Sequence, residues 1–279
     1  MNWPLKTFTR PATAAIAFAS LTFAISAHAG EVLDRVLAKK TLTVATSANW
    51  HPASFMNEKG ELDGFDVEVA KGVAKHMGAE AKFVTPGWDI ITSGIWEGRW
   101  DLAMGQMTPT APRAKLFDFP AVYIWGNTVA VVHKDSKASK PSDLDGKVMG
   151  VPAGSSEENY LKHTLEIYNA PPIKYEFAPG EVKSYDSGSA ARDDLRLGDG
   201  VRLDGLLDEE LAAKAAIEAG YPFKIIGSSL VSTPAVIAVL HGDKEFSDKV
   251  AAAVKSMRED GTLSKLSIKW YGSDYTAQK

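Results

Sequence analysis

In the segment Gly105-Gln106-Met107-Thr108-Pro109-Thr110-Ala111-Pro112-Arg113, a hydroxyl and a guanidinium follow a strand-like run, and Pro112-Arg113 opens the next helical pattern. An arginine presents a planar fork of donors that matches a carboxylate two-for-two, with Thr108 and loose amides nearby to complete the coordination. An exposed arginine at a helix start would read the same. Ser155 and Ser156 precede a helical stretch from Glu157. A helix start offers unpaired N–H groups to an anion, although a serine that merely caps the helix has the same appearance. Trp50, in Ser47-Ala48-Asn49-Trp50-His51-Pro52, and Trp88, in Gly87-Trp88-Asp89, bring flat faces that pack alkyl stems or attract cations, or else fill a core.

Other chemistry is poorly represented. His51, His76, His133, His163 and His241 are scattered without metal-ligand spacing, so no metal is expected. Gly198-Asp199-Gly200 reads as a turn, no phosphate loop or dinucleotide fingerprint is present, and Gly154-Ser155-Ser156 lacks the pattern of a nucleophile elbow. Neither a cofactor nor a catalytic residue is expected.

The elements that must position these groups alternate. Strand-like runs at 41–46, 82–84, 101–105, 129–133, 147–151, 202–207, 223–226 and 235–240 are separated by helical patterns, which argues for an α/β architecture with mostly parallel sheets. Val67, Ala70, Val73, Ala74 and Met77 share one helical face, with Asp66 as N-cap and Gly78 as stop. Phe246, Val250, Val254 and Met257 repeat that spacing before Gly261. The polar stretch 134–141 reads as a connector. The chain appears twice as a crossing, near 128–133 and 232–239, which makes a hinge pair. The expected division is 30–128 with 233–279 as a discontinuous first lobe and 129–232 as the second.

Residues 1–29 have the layout of a secretory leader: Lys6 and Arg10 precede an uncharged, alanine-rich run ending in Ala27-His28-Ala29. Cleavage after Ala29 into the periplasm is expected. The 279-residue chain has 31 basic and 35 acidic residues and no cysteine; without Lys6 and Arg10 the balance is 29 to 35, a net charge of −6. That disfavours nucleic acid and anionic lipid as partners and excludes a disulfide framework or a thiol-linked anchor. A monomer is the default.

Several motifs in order resemble the bacterial amino-acid-binding periplasmic proteins of polar amino acid ABC transporters, the solute-binding proteins of family 3. They are Gly60-Glu61-Leu62-Asp63-Gly64-Phe65-Asp66, Asp101-Leu102-Ala103, Thr108-Pro109-Thr110-Ala111-Pro112-Arg113, Leu144-Asp145-Gly146-Lys147, Leu203-Asp204-Gly205 and Asp260-Gly261-Thr262-Leu263. The resemblance runs from 32 to 273. It implies a two-lobed type II binding-protein fold, each lobe a mixed, mostly parallel sheet flanked by helices, and a receptor that delivers a small polar L-amino acid to an inner-membrane ABC permease. By that resemblance Arg113, Thr108, Ser155 and Ser156 hold the ligand carboxylate. Glu209 or Asp208 takes the ammonium, with Gln106 assisting, and Ser47, Trp50 and Trp88 wall the side chain. Glu209 stands where the family usually has the shorter aspartate. Ser47 stands where several basic-amino-acid receptors carry an aspartate, and Gln106 where a glycine or serine is common. These departures weaken a strict lysine or arginine reading and favour a polar ligand able to use Gln106 and Ser47, although Asp208 and Asp89 could still serve a basic one. A periplasmic dehydratase of the cyclohexadienyl or arogenate type, or a receptor for another zwitterion such as an opine or a compatible solute, would share the scaffold.

Overall fold

The computed structural model describes Met1 and residues 30–277. The leader expected at 1–29 lies outside the described residues apart from Met1. Within them no helix is long and apolar enough to cross a membrane.

Among the described residues eleven strands and eight α-helices follow in chain order: α1 (Glu31–Lys39), β1 (Thr41–Ala45), β2 (Asn49–Trp50), β3 (Ser54–Met56), β4 (Leu62–Asp63), α2 (Phe65–His76), β5 (Glu80–Val84), α3 (Trp88–Thr92), β6 (Leu102–Met107) and β7 (Phe117–His133). Then come β8 (Val148–Pro152), α4 (Ser156–Leu161), β9 (Glu181–Tyr185), α5 (Gly188–Leu195), β10 (Gly205–Glu209), α6 (Glu210–Glu218), β11 (Phe223–Leu240), α7 (Lys244–Glu259) and α8 (Thr262–Tyr271). Eight strands join in the order β5-β1-β6-β11-β7-β10-β8-β9.

β7 and β11 are 17 and 18 residues long, about three times an ordinary strand, and pair antiparallel along most of their length. The half of β11 near Ala238 borders β6, which leads to β1 and β5 through parallel pairing; the half of β7 near Ala130 borders β10, which leads to β8 and β9. Two half-sheets, one per lobe, are therefore joined by the same two strands. The ladder shifts register between Ile226 and Val231 and again after Ala235, so the crossing is the least regular part of the sheet. Gly227 and Pro234 make β11 read in sequence as two shorter strands, and with Pro120, Gly126 and Asn127 in β7 only its end at 129–133 reads as a strand, so the half from Phe117 is missed.

Each lobe has its own apolar core. In the first, α2 and α7 bring Phe65, Val69, Val73, Phe246, Val250 and Val254 onto one face of the sheet, and Trp96, Trp100 and Phe117 cover the other. In the second, Tyr160, Leu161 and Leu207 pack on one face and Leu195, Leu203 and Ala213 on the other. β1 alternates Thr41 and Thr43 with buried Leu42 and Val44, and β10 sets buried Leu206 and Leu207 before Asp208, patterns that made both visible in sequence.

Two local expectations are corrected. Asp66 does not cap α2: Gly64 occupies the cap position, and Asp66 is fully buried inside the first turn. Pro112-Arg113 opens no α-helix but a single 3-10 turn at Arg113–Lys115, too short to carry the arginine out to solvent.

Candidate ligand-binding site

A cleft of about 260 Å3 lies between the lobes, and all ten residues singled out from the sequence line it. β6 and the turn after it deliver Gln106, Thr108 and Arg113 from the first lobe; the β8–α4 turn delivers Ser155 and Ser156, and the end of β10 delivers Asp208 and Glu209, from the second. These ends of strands sit where half-sheets of this kind leave room for a ligand.

Arg113 is 6 % exposed. Its Nη1 donates to the Thr108 carbonyl (2.9 Å) and its Nη2 to the Gly154 carbonyl (2.7 Å). It therefore ties the lobes together, and the expectation of an exposed helix-start arginine fails. The guanidinium lies over Trp88, 5.6 Å from the ring centroid. Trp88 reaches that position because residue 105 is glycine: a Cβ there would meet Cζ3 of Trp88 at 2.6 Å. Trp88 thus supports the arginine as well as walling the cleft. Burial pushes the guanidinium down to about 10, with Glu157 partly opposing the shift. A buried cation held only by neutral carbonyls and a ring is short of a counter-charge.

Thr108 Oγ1 contacts Ser156 Oγ across the cleft (3.2 Å) and Thr233 Oγ1 on β11 (3.3 Å). Ser155 Oγ caps α4 by accepting from the Glu158 N–H (3.0 Å), while the Glu158 carboxylate accepts from the Gly154 N–H (2.7 Å). That reciprocal cap fixes the turn. Glu158 escaped the sequence reading: burial alone would raise its pKa, but hydrogen bonds from Lys162, Ser184 and Gly154 hold it below the ordinary value. A serine followed three residues later by glutamate was the available signal.

Glu209 and Asp208 separate clearly. Asp208 receives both Nε and Nη2 of Arg192 (2.7 and 2.8 Å) in a buried bidentate pair, so its charge is already matched. Glu209 Oε2 caps α6, accepting from the N–H groups of Leu211 (2.8 Å) and Ala212 (3.1 Å), whereas Oε1 is buried with no partner. Burial, reinforced by Asp208 and Glu157, pushes this carboxyl up to about 8. The extra methylene of glutamate lets one oxygen reach the helix start while the other lies against Gly126, where an added Cβ would stand 3.4 Å from it.

Gln106 lines the cleft with its side chain turned inward, Nε2 donating to Tyr271 Oη (2.7 Å) and its backbone N–H to Tyr123 Oη (2.8 Å). Beside these hydroxyls both Asp66 oxygens are buried without a hydrogen-bond partner. Burial raises Asp66 to about 7, and Tyr123 and Gln106 only partly offset it. A carboxyl whose folded pKa is raised contributes stability that is present at low pH and lost as pH rises, here between about 4 and 7. Asp66→Asn mimics the neutral acid. It is expected to match the parent at pH 4 and exceed it by roughly 2–4 kcal/mol at pH 8, measured by urea unfolding at both pH values.

Ser47 pairs with Asn49 (2.8 Å), and Trp50, half-buried, sits in the short strand β2 on the rim. Among the described residues no group of three or more potential ligands could hold a metal ion.

The model of the bacterial extracellular solute-binding proteins, family 3, matches residues 42–273. The chain belongs to that family. It is 30% identical over 248 residues to the L-cystine-binding protein TcyJ of Escherichia coli (strain K12), covering 88% of each chain. Among solved structures it is similar to an ancestral arginine-binding protein bound to arginine (32% identity, TM-score 0.73, 84% of this chain and 99% of that one). It is also similar to an ancestral amino-acid-binding protein, a precursor of cyclohexadienyl dehydratase (27% identity, TM-score 0.75, 86% and 99%). These relatives are two-lobed, and the family 3 fold expected from the sequence is the one found.

Proposed function

We propose that the protein is a periplasmic receptor that closes its lobes, divided at 128/129 and 232/233, around a small polar L-amino acid and presents it to an ABC transporter permease. The leader would direct export and be cleaved after Ala29, and the receptor would act as a monomer. One observation carries the reading: a buried guanidinium without a carboxylate and a buried carboxyl oxygen without a donor line one cleft, complementary to an amino acid's two charged ends.

In this reading the α-carboxylate takes the free donors of Arg113 with Thr108 and Ser156 hydroxyls beside it. The α-ammonium sits against Oε1 of Glu209, while Asp208 acts only through the pair it makes with Arg192. Trp50, Trp88 and Ser47 border the side chain. Because Arg113 and Thr108 already reach Gly154 and Ser156 of the other lobe, a ligand adds contacts available only on closure and so favours the closed form.

Thermal-shift screening of all L-amino acids tests this directly, since a ligand at about 100 times its dissociation constant adds roughly 2.7 kcal/mol of stability. A shift with at least one amino acid is expected; none across the panel overturns the reading. Incubation with prephenate or arogenate should yield no aromatic product, and a product would instead favour a dehydratase.

A pH signature follows from Glu209. A ligand ammonium favours the carboxylate, so binding below about pH 8 expels the proton that burial retains. Affinity should therefore rise by up to about tenfold per unit between pH 6 and 8 and level off above. Calorimetry in buffers of different ionisation enthalpy should show proton release, and Glu209→Gln should remove both effects.

A further inference from the structure

The cleft holds more negative charge than an amino acid's backbone groups would neutralise. Arg113 is the one base lining it among the described residues, against four acids, Glu157, Asp186, Asp208 and Glu209. Arg192, from behind, balances Asp208. With a carboxylate on Arg113 and an ammonium on Glu209, Glu157 and Asp186 remain without a counter-charge.

Glu157 is built into the site. It is half-buried at the start of α4, where its Oε1 accepts from Thr128 Oγ1 (3.2 Å) and its Oε2 from Ser156 Oγ (3.1 Å). Both donors are neutral hydroxyls. They fix the orientation of the carboxylate and leave its charge intact. It lines the same cleft as Arg113, whose charged form its field favours, and Glu209, whose ionised form it opposes. Asp186 is exposed just before α5, a helix that packs near β2, and it lines the cleft together with Trp50. The rim therefore joins an acid to an aromatic face, a combination that suits a cation.

The geometry points to Glu157, aided by Asp186, as the residue that selects ligands whose side chain ends in a cation, making the substrate class the basic L-amino acids with a single carboxylate. This deepens the receptor reading and rests on it. It departs from the sequence expectation, which read Ser47 as weakening a lysine or arginine ligand: the negative charge that this first-lobe position lacks is supplied from the second lobe by Glu157 and Asp186. A ligand with two carboxylates, such as L-cystine, would find no second base in the cleft.

Calorimetric titration of the purified protein with L-arginine against L-citrulline, and with L-lysine against L-norleucine, tests the assignment, with L-cystine and L-glutamine as further arms. At least one cationic ligand should bind about tenfold to hundredfold more tightly than its neutral isostere. Glu157→Gln should collapse that ratio, whereas a purely structural defect would weaken both members of a pair alike. The melting temperature of the unliganded variant reports its folding separately. The assignment is overturned if neutral isosteres bind as tightly as cationic ligands, if L-cystine or L-glutamine outbinds every basic amino acid, or if the ratio survives in Glu157→Gln and in Asp186→Asn. Those outcomes leave the amino-acid receptor standing; absence of binding by every amino acid overturns both.

Discussion

Arg113→Ala is expected to lower affinity for the preferred amino acid by about a hundredfold or more, because it removes the one cation that lines the cleft among the described residues and leaves a desolvated carboxylate without a counter-charge. The truncation also strips the Thr108 and Gly154 carbonyls of their donor, which costs some stability of the closed form. Arg113→Lys separates the two effects. It keeps a positive charge but gives up the planar fork that can hold both carbonyls and a carboxylate at once. A loss of at least about tenfold is expected for lysine, with the melting temperature of the unliganded protein largely retained. Calorimetry on both variants decides the matter: lysine binding within a factor of about two of the parent would mean that the fork holds the lobes rather than the ligand.

The second large effect is on stability. Arg192 and Asp208 are 6 % and 8 % exposed and meet through two short hydrogen bonds, so Arg192→Leu leaves a buried carboxylate without its counter-charge. A loss of about 3–5 kcal/mol is expected in denaturant unfolding. Asp208 also accepts from the Glu209 N–H (3.0 Å), so the same substitution should disturb the carboxyl that receives the ligand ammonium. Arg192→Leu combined with Asp208→Asn restores neutrality and should recover more than half of the loss. A double variant as unstable as the single one would show that packing, not the uncompensated charge, sets the cost.

Local pattern made much of this architecture legible. Strands β1 and β10 announced themselves as short runs around Leu42, Val44, Leu206 and Leu207, and the spacing of Ala70, Val73, Ala74, Val250 and Val254 announced α2 and α7. The site residues were legible as types, and the cleft does collect all ten of them. What sequence could not supply was the partner of each charge. Asp208 and Glu209 are neighbours in the chain, yet only the fold shows that one is matched by Arg192, sixteen residues upstream, while the other keeps an oxygen free. Gln106 has the right composition for a ligand contact, but Tyr271, 165 residues away, holds its amide. Glu157 passed unnoticed because one glutamate at a helix start is ordinary; it gains meaning only from the cleft around it. β11 was cut in two at Gly227 and Pro234 and the first half of β7, before Gly126 and Asn127, was not legible at all, since glycine and proline interrupt the local pattern even where the ladder runs on through them.

The return of β11 has a consequence for the order in which the molecule can be completed. The second half-sheet draws its strands from one continuous stretch, so it can finish soon after residue 231 has emerged. The first cannot: the flank of β6 stays an open edge until residues 235–240 arrive more than a hundred positions later, and α7 must still follow to cover the adjoining face. Pairings of such long sequence separation form slowly. The N-terminal portion of the newly made chain thus spends the longest time with unsatisfied strand edge and uncovered apolar surface, and it is there that a holding chaperone or a self-associating encounter would find its grip.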